Sequence, residues 1–189
     1  MNRYLLCISF ICVLLNAGCS VVVGNIKPVD EKSKNYKVMD LNREEWKKLP
    51  PAEVAHDSVS ANSEIKNSEP DTSETTDLAF QSQLTSSIIS MNSACRPSVR
   101  ERELGGFTQQ LLLGISDVSE RSEIHLKIAD QDALQTTVNG KMNRTFVKIR
   151  TIVLKKDNCA YDLMYISKPA DFEKQEDTFL KFAQSLVIK

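Results

Sequence analysis

The sequence predicts an α+β fold: an antiparallel sheet of about five to seven strands with helices packed on it. Three observations lead there. Between Glu123 and Lys168 four β-branched and aromatic stretches follow one another with only short polar breaks, and short breaks join antiparallel neighbours, because a parallel pair needs a crossover of a dozen or more residues. Two runs, 104–115 and 172–186, carry apolar residues at helical spacing. The order strands, helix, strands, helix suits helices laid on one antiparallel sheet.

The elements follow in chain order. Residues 1–18 hold one positive charge (Arg3), an apolar core from Tyr4 to Leu15, and the small pair Ala17-Gly18 before Cys19. A charged head, a short apolar stretch and small residues at a cleavage point describe a secretory signal peptide. The apolar run is about 12 residues, too short for the ~20 of a spanning helix. Residues 19–34 alternate charges around Gly24 and Pro28 without sustained period, and read as a tether. The globular domain is expected over 35–189. Within it, 35–41 is a short strand, and 42–48 is one or two helical turns capped by Asn42 and ended by Pro50-Pro51. From about 55 to 76 the chain is Ser, Asn, Thr, Asp and Glu with few apolar residues. Such a composition cannot bury enough surface to order itself, so a disordered insert is expected.

The pattern tightens at Asp77. Leu78–Gln83 and Ser87–Asn92 are two strands of a hairpin. Pro97 suits a helix first turn, and Leu104, Phe107, Leu111, Leu112 and Ile115 form one apolar helix face. Gly105-Gly106 inside that helix suggests close packing of helix on sheet. Strands are expected at 123–129, 133–141, 144–155 and 159–168. Several carry apolar residues at both parities, as in Phe146, Val147, Ile149 and Ile152, so both sheet faces should be covered. A C-terminal helix after Pro169 buries Phe172, Phe179, Phe182, Ala183 and Leu186.

The composition excludes some functions. With 24 Lys+Arg against 25 Asp+Glu, net charge −1, the chain lacks the basic field that nucleic-acid binding requires, and no nucleic-acid partner is expected. Removing the signal takes Cys7 and Cys12. Cys19 then stands at the start of the remaining chain, and beyond it Cys95 and Cys159 sit in an oxidising compartment, as one disulfide or as two unpaired buried thiols. Cys95 closes an expected strand and Cys159 opens another. If those ends lie side by side, a bridge between them meets the usual Cα separation of about 4.4–6.8 Å. No metal site is expected, since there is no C-x-x-C and the histidines, His56 and His125, lie far apart. No cofactor is expected either.

Catalysis finds little support. The chain has no nucleophile elbow and no Gly-rich phosphate loop. His56 falls in the polar insert, and His125 reads as an exposed strand residue. Asp130-Gln-Asp132 reads as a turn. Asp162 shares parity with Met164 and Ile166 in a strand whose faces both look buried, and a buried acid needs a partner. Lys148 or Arg150 on a neighbouring strand is the expected ion-pair partner, and Asp162, Asp130 and His125 are the candidate ligand or partner site.

Two resemblances add to this reading. Ala17-Gly18-Cys19 resembles the lipobox of bacterial lipoproteins, although Asn16 stands where that box usually has Leu, and Leu15 lies one residue further back. The resemblance implies acylation at Cys19 after cleavage and attachment to a membrane through acyl chains. Ser20 resembles the signal that sends such proteins to the outer membrane, here facing the periplasm. Second, 77–96, Leu112-Leu-Gly-Ile115 and 154–165, with Phe172 and the helix through Phe179, Phe182 and Leu186, look like a group of envelope lipoproteins from deltaproteobacteria-like lineages. That group resembles the PsbP-like fold, an antiparallel sheet between helices, named for an extrinsic photosystem II protein and shared with a Ran-binding import factor. The resemblance implies no active site. The expectation is a lipid-anchored envelope protein that binds or scaffolds an envelope protein partner without catalysis. The alternative is an envelope hydrolase or maturation factor.

Overall fold

The computed structural model describes residues 35–50 and 77–189. The signal segment, Cys19, the tether and the insert at 55–76 lie outside the described residues. A seven-stranded antiparallel sheet dominates, in the order β2 (Trp46–Lys48), β3 (Leu78–Ser82), β4 (Ile88–Cys95), β8 (Cys159–Ser167), β7 (Thr145–Lys156), β6 (Gln131–Met142), β5 (Ser116–Ile128). A two-residue ladder joins β1 (Tyr36–Lys37) to the C-terminal β9 (Val187–Ile188). Helix α1 (Leu104–Leu111) lies on β6 and β7, and α2 (Phe172–Gln184) on β8. This is the α+β architecture the sequence predicts.

Register decides which residues meet. Leu154 faces Tyr161, Ile152 faces Leu163 and Arg150 faces Tyr165 across β7 and β8. Ile89 and Met91 of β4 continue those rows. On this face α2 lays down Phe172, Phe179, Phe182 and Ala183, all fully buried. Tyr165 stacks on Phe179 at 5.6 Å between ring centres and donates its hydroxyl hydrogen bond to the Phe172 carbonyl oxygen at 2.8 Å. Burial of these large side chains is the main stabilising term, about 2–3 kcal/mol for each aromatic ring. On the opposite face a smaller cluster joins Leu112 to Val138, Val147 and Ile149. Each face therefore has a helix, which explains the apolar residues at both parities of β7.

Several expectations change in detail. Residues 42–48 form a single turn and then a strand. Asn42 caps that turn, its Oδ1 accepting from the Glu44 N–H at 3.1 Å, but Trp46 then enters the core opposite Ser82. Burying the indole outweighs helix propensity over so short a run. Helix α1 stops at Leu111, because Gly114 adopts φ 86° and turns the chain into β5. β5 starts at Ser116, seven residues before its apolar stretch. Gly105 has no atom within 4 Å of where a side chain would start, and Gly106 meets only the Arg102 side chain. The glycine pair therefore does not mark a close helix–sheet approach.

Candidate functional site

The sequence-derived cluster of Asp162, Asp130 and His125 is not assembled. One cross-strand row runs Asn92, Asp162, Val153, Leu134, His125. Asp162 and His125 thus share a sheet face but stand three strand spacings apart, about 14 Å. Val153 and Leu134 fill the space between them and are buried. Asp130 sits in the β5–β6 turn with φ 60° and is exposed, as is His125. Asp162 is half-buried and accepts from the Asn92 amide at 3.4 Å.

The expected ion pair of Asp162 with Lys148 or Arg150 is corrected by register. Both cations belong to the opposite face, where Lys148 pairs with Glu173 at 2.7 Å and Arg150 with Glu176. Both also lie over the Phe172 ring, 4.4 and 5.3 Å from its centre. Burial and the hydrogen bond shared with Glu173 raise the Glu176 pKa above the usual carboxylate range. The same hydrogen bond, with Lys148, lowers that of Glu173. These four groups clamp the start of α2 to β7.

The cysteines meet as the sequence implied. Cys95 and Cys159 are direct cross-strand partners joined by a disulfide, with Cα atoms 3.9 Å apart. That is closer than the expected window. The Arg96 N–H donates to the Asn158 carbonyl one step along the ladder, so Cys95 and Cys159 occupy a non-hydrogen-bonded pair, where strands approach most closely. Nearby, the buried Asp77 carboxylate accepts from the Tyr36 hydroxyl at 3.2 Å and the Ser93 hydroxyl at 2.5 Å. Burial and the adjacent Asp77 push the Tyr36 hydroxyl pKa far above its ordinary value.

A concave feature of the described residues lies elsewhere, between residues 38–43 and the β2–β3 end of the sheet. It is a cavity of about 720 Å³, within the ~300–1,000 Å³ of ligand sites. Leu41, Trp46, Leu78 and Phe80 supply apolar wall, and Arg43 and Lys47 stand among the polar lining. Asp40, also in the lining, sits 3.6 Å from the Arg43 guanidinium. Trp46 is 2% exposed, and its Nε1–H has no acceptor among the described residues. The sequence offered one signal for this site: its single tryptophan lies inside the charged run Arg43-Glu-Glu-Trp-Lys-Lys48. Among the described residues no group of three His, Cys, Asp or Glu could hold a metal ion.

No family model matches the chain, and no curated protein matches it. Solved structures do. The cyanobacterial PsbP (CyanoP) of Synechocystis sp. PCC 6803 aligns over 90% of this chain and 96% of its own, at 10% identity and a TM-score of 0.55. LpqN of Mycobacterium tuberculosis, described as involved in cell envelope biogenesis, aligns over 86% of this chain and 90% of its own, at 9% identity and a TM-score of 0.53. Likeness at this identity concerns the fold, and the fold is PsbP-like.

Proposed function

We propose that this protein is a lipid-anchored, non-catalytic binding module of the bacterial cell envelope, and that the cavity beside Trp46 is its ligand site. The observation that carries the reading is that cavity, whose lining combines Leu41, Trp46, Leu78 and Phe80 with the cations Arg43, Lys47 and Lys48. Arg43, Lys47 and Lys48 outnumber Asp40 among the charged lining residues. The ligand class that fits is an anionic amphiphile, with its apolar part against Leu41, Leu78 and Phe80 and its acidic group among the cations. A neighbour in fold described as involved in cell envelope biogenesis is consistent with the setting. The Cys19 lipobox resemblance supports anchoring at the periplasmic face of the outer membrane.

Two experiments test the two halves. Cys19→Ser should abolish fatty-acid labelling and release the protein from membranes; labelled, membrane-bound variant would contradict the anchor. Calorimetric titration with dodecanoate should show binding with a negative heat-capacity change, the mark of apolar burial. Arg43→Glu should weaken that binding at least fivefold, and equal affinity in the variant would contradict the assignment of the lining.

A further inference from the structure

β5 is an edge strand of the main sheet, and its outer side has no strand partner among the described residues. Exposed edges are usually blunted by charged side chains, bulges, prolines or shortness; this one carries the charges Glu123 and Lys127, of opposite sign. The bulges of β5 are confined to its first half, between Ser116 and Ser122, and from Ser122 to Ile128 the register with β6 is unbroken. The turn into β6 consists of Ala129 and Asp130, with φ 50° and 60°, the left-handed pair of a type I′ hairpin. In that geometry the flanking pair Ile128 and Gln131 exchanges both hydrogen bonds. Strict alternation then turns the N–H and C=O groups of Lys127, His125 and Glu123 outward.

Read outward, the segment is Glu123, Ile124, His125, Leu126, Lys127. We propose that this edge is a self-association site, where a second copy of the chain adds antiparallel about a two-fold axis at His125. That axis sets Glu123 opposite the second copy's Lys127, Lys127 opposite its Glu123, and Ile124 opposite its Leu126. The outward backbone groups fall into register and form about six hydrogen bonds between copies. Opposite charges directly across a ladder stabilise it. The neighbouring axes compatible with the outward groups are worse. An axis at Ile124 sets Arg121 against Lys127, and one at Leu126 sets His125 against Lys127. Ile124 is 54% exposed and gains cover from the second copy. The local partners of the two charges are Asp132 for Lys127, a largely exposed pair, and Arg121 for Glu123, a pair about two-fifths exposed; surface pairs of this kind are weak enough to be shared across the new ladder. An interface this small is at the low end of size, so the dimer is weak and reversible.

The test is sedimentation velocity of the purified full chain, in mild detergent with micelles in excess, up to about 1 mM, the range of a weak complex. The wild type should show a reversible monomer–dimer equilibrium. Glu123→Lys alone and Lys127→Glu alone should each weaken it at least tenfold, because each sets like charges opposite, while circular dichroism stays native. Mixing the two variants in equal amounts should restore the dimer, since every facing pair is then of opposite sign. A wild type monomeric throughout, or a dimer that neither variant weakens and the mixture does not restore, would overturn the proposal. This test is independent of the Trp46 cavity.

Discussion

Removing the disulfide tests how β4 is held to β8. Replacing Cys95 and Cys159 together with Ala leaves two residues that suit the site: Cys95 is exposed, and Cys159 sits at the edge of the core at 8% exposure. The native-state loss of contact is therefore small, and the effect falls mainly on the unfolded chain. The bridge closes a sequence separation of 64 residues. The chain-entropy relation gives about 4 kcal/mol at 25 °C for a loop of that size. With a urea slope of about 2 kcal/mol per molar, the unfolding midpoint should fall by about 2 M. Urea titration followed by far-ultraviolet circular dichroism measures it, with wild type in oxidising buffer as the reference. The wild type in reductant should match the double variant, and reductant should leave the double variant unchanged. A shift below about 0.5 M, or two alkylatable thiols in the non-reduced wild type, would refute the reasoning.

Other outcomes follow from the core and its titrating groups. The Tyr36 hydroxyl is held neutral in the fold by burial and Asp77. Its contribution to stability is present below the ordinary tyrosine pKa near 10 and is lost as pH rises beyond it. Tyr36→Phe should flatten the alkaline fall in melting temperature, and an equally steep fall would count against the Tyr36–Asp77 contact. Glu176, raised by burial and Glu173, contributes stability that declines as pH climbs through its raised pKa. Thermal melts from pH 4 to 7 should show a smaller decline in Glu176→Gln than in wild type, and a larger one would reverse the assigned cause. Phe179 is fully buried beneath Tyr165, so Phe179→Ala should cost about 3–5 kcal/mol by urea titration. A cost under 1 kcal/mol would show that α2 does not close the core.

Sequence patterns exposed the centre of the sheet better than its margins. The strands from Gln131 to Ser167 were legible because the breaks at Asn143-Arg144 and Asp157-Asn158 are too short for anything except hairpins. Helix α2 was legible because Phe172, Phe179 and Phe182 repeat at helical spacing. β2 was hidden, since Trp46 and its charged neighbours satisfy a helical turn locally and only the distant Ser82 makes them a strand. The first half of β5, Ser116 to Ser122, carries polar residues that no period betrays. The fate of Asp162 depended on register: parity within β8 places it with Met164, but only the β7–β8 alignment puts Lys148 and Arg150 on the other face. Beyond the single tryptophan, the cavity left no mark in the sequence for a similar reason, because residues 38–43 and Phe80 meet only through the tertiary fold. The disulfide was accessible from cysteine counting, because two strand-end thiols left few alternatives.

The chain's single tryptophan lines the cavity, so its fluorescence reports on that site alone. Titrating dodecanoate into the purified protein should shift and saturate the Trp46 emission, with a one-site isotherm and a midpoint that Phe80→Ala raises. Emission unchanged at dodecanoate concentrations up to the limit set by micelle formation, or a signal that never saturates, would contradict the claim that this is the ligand site.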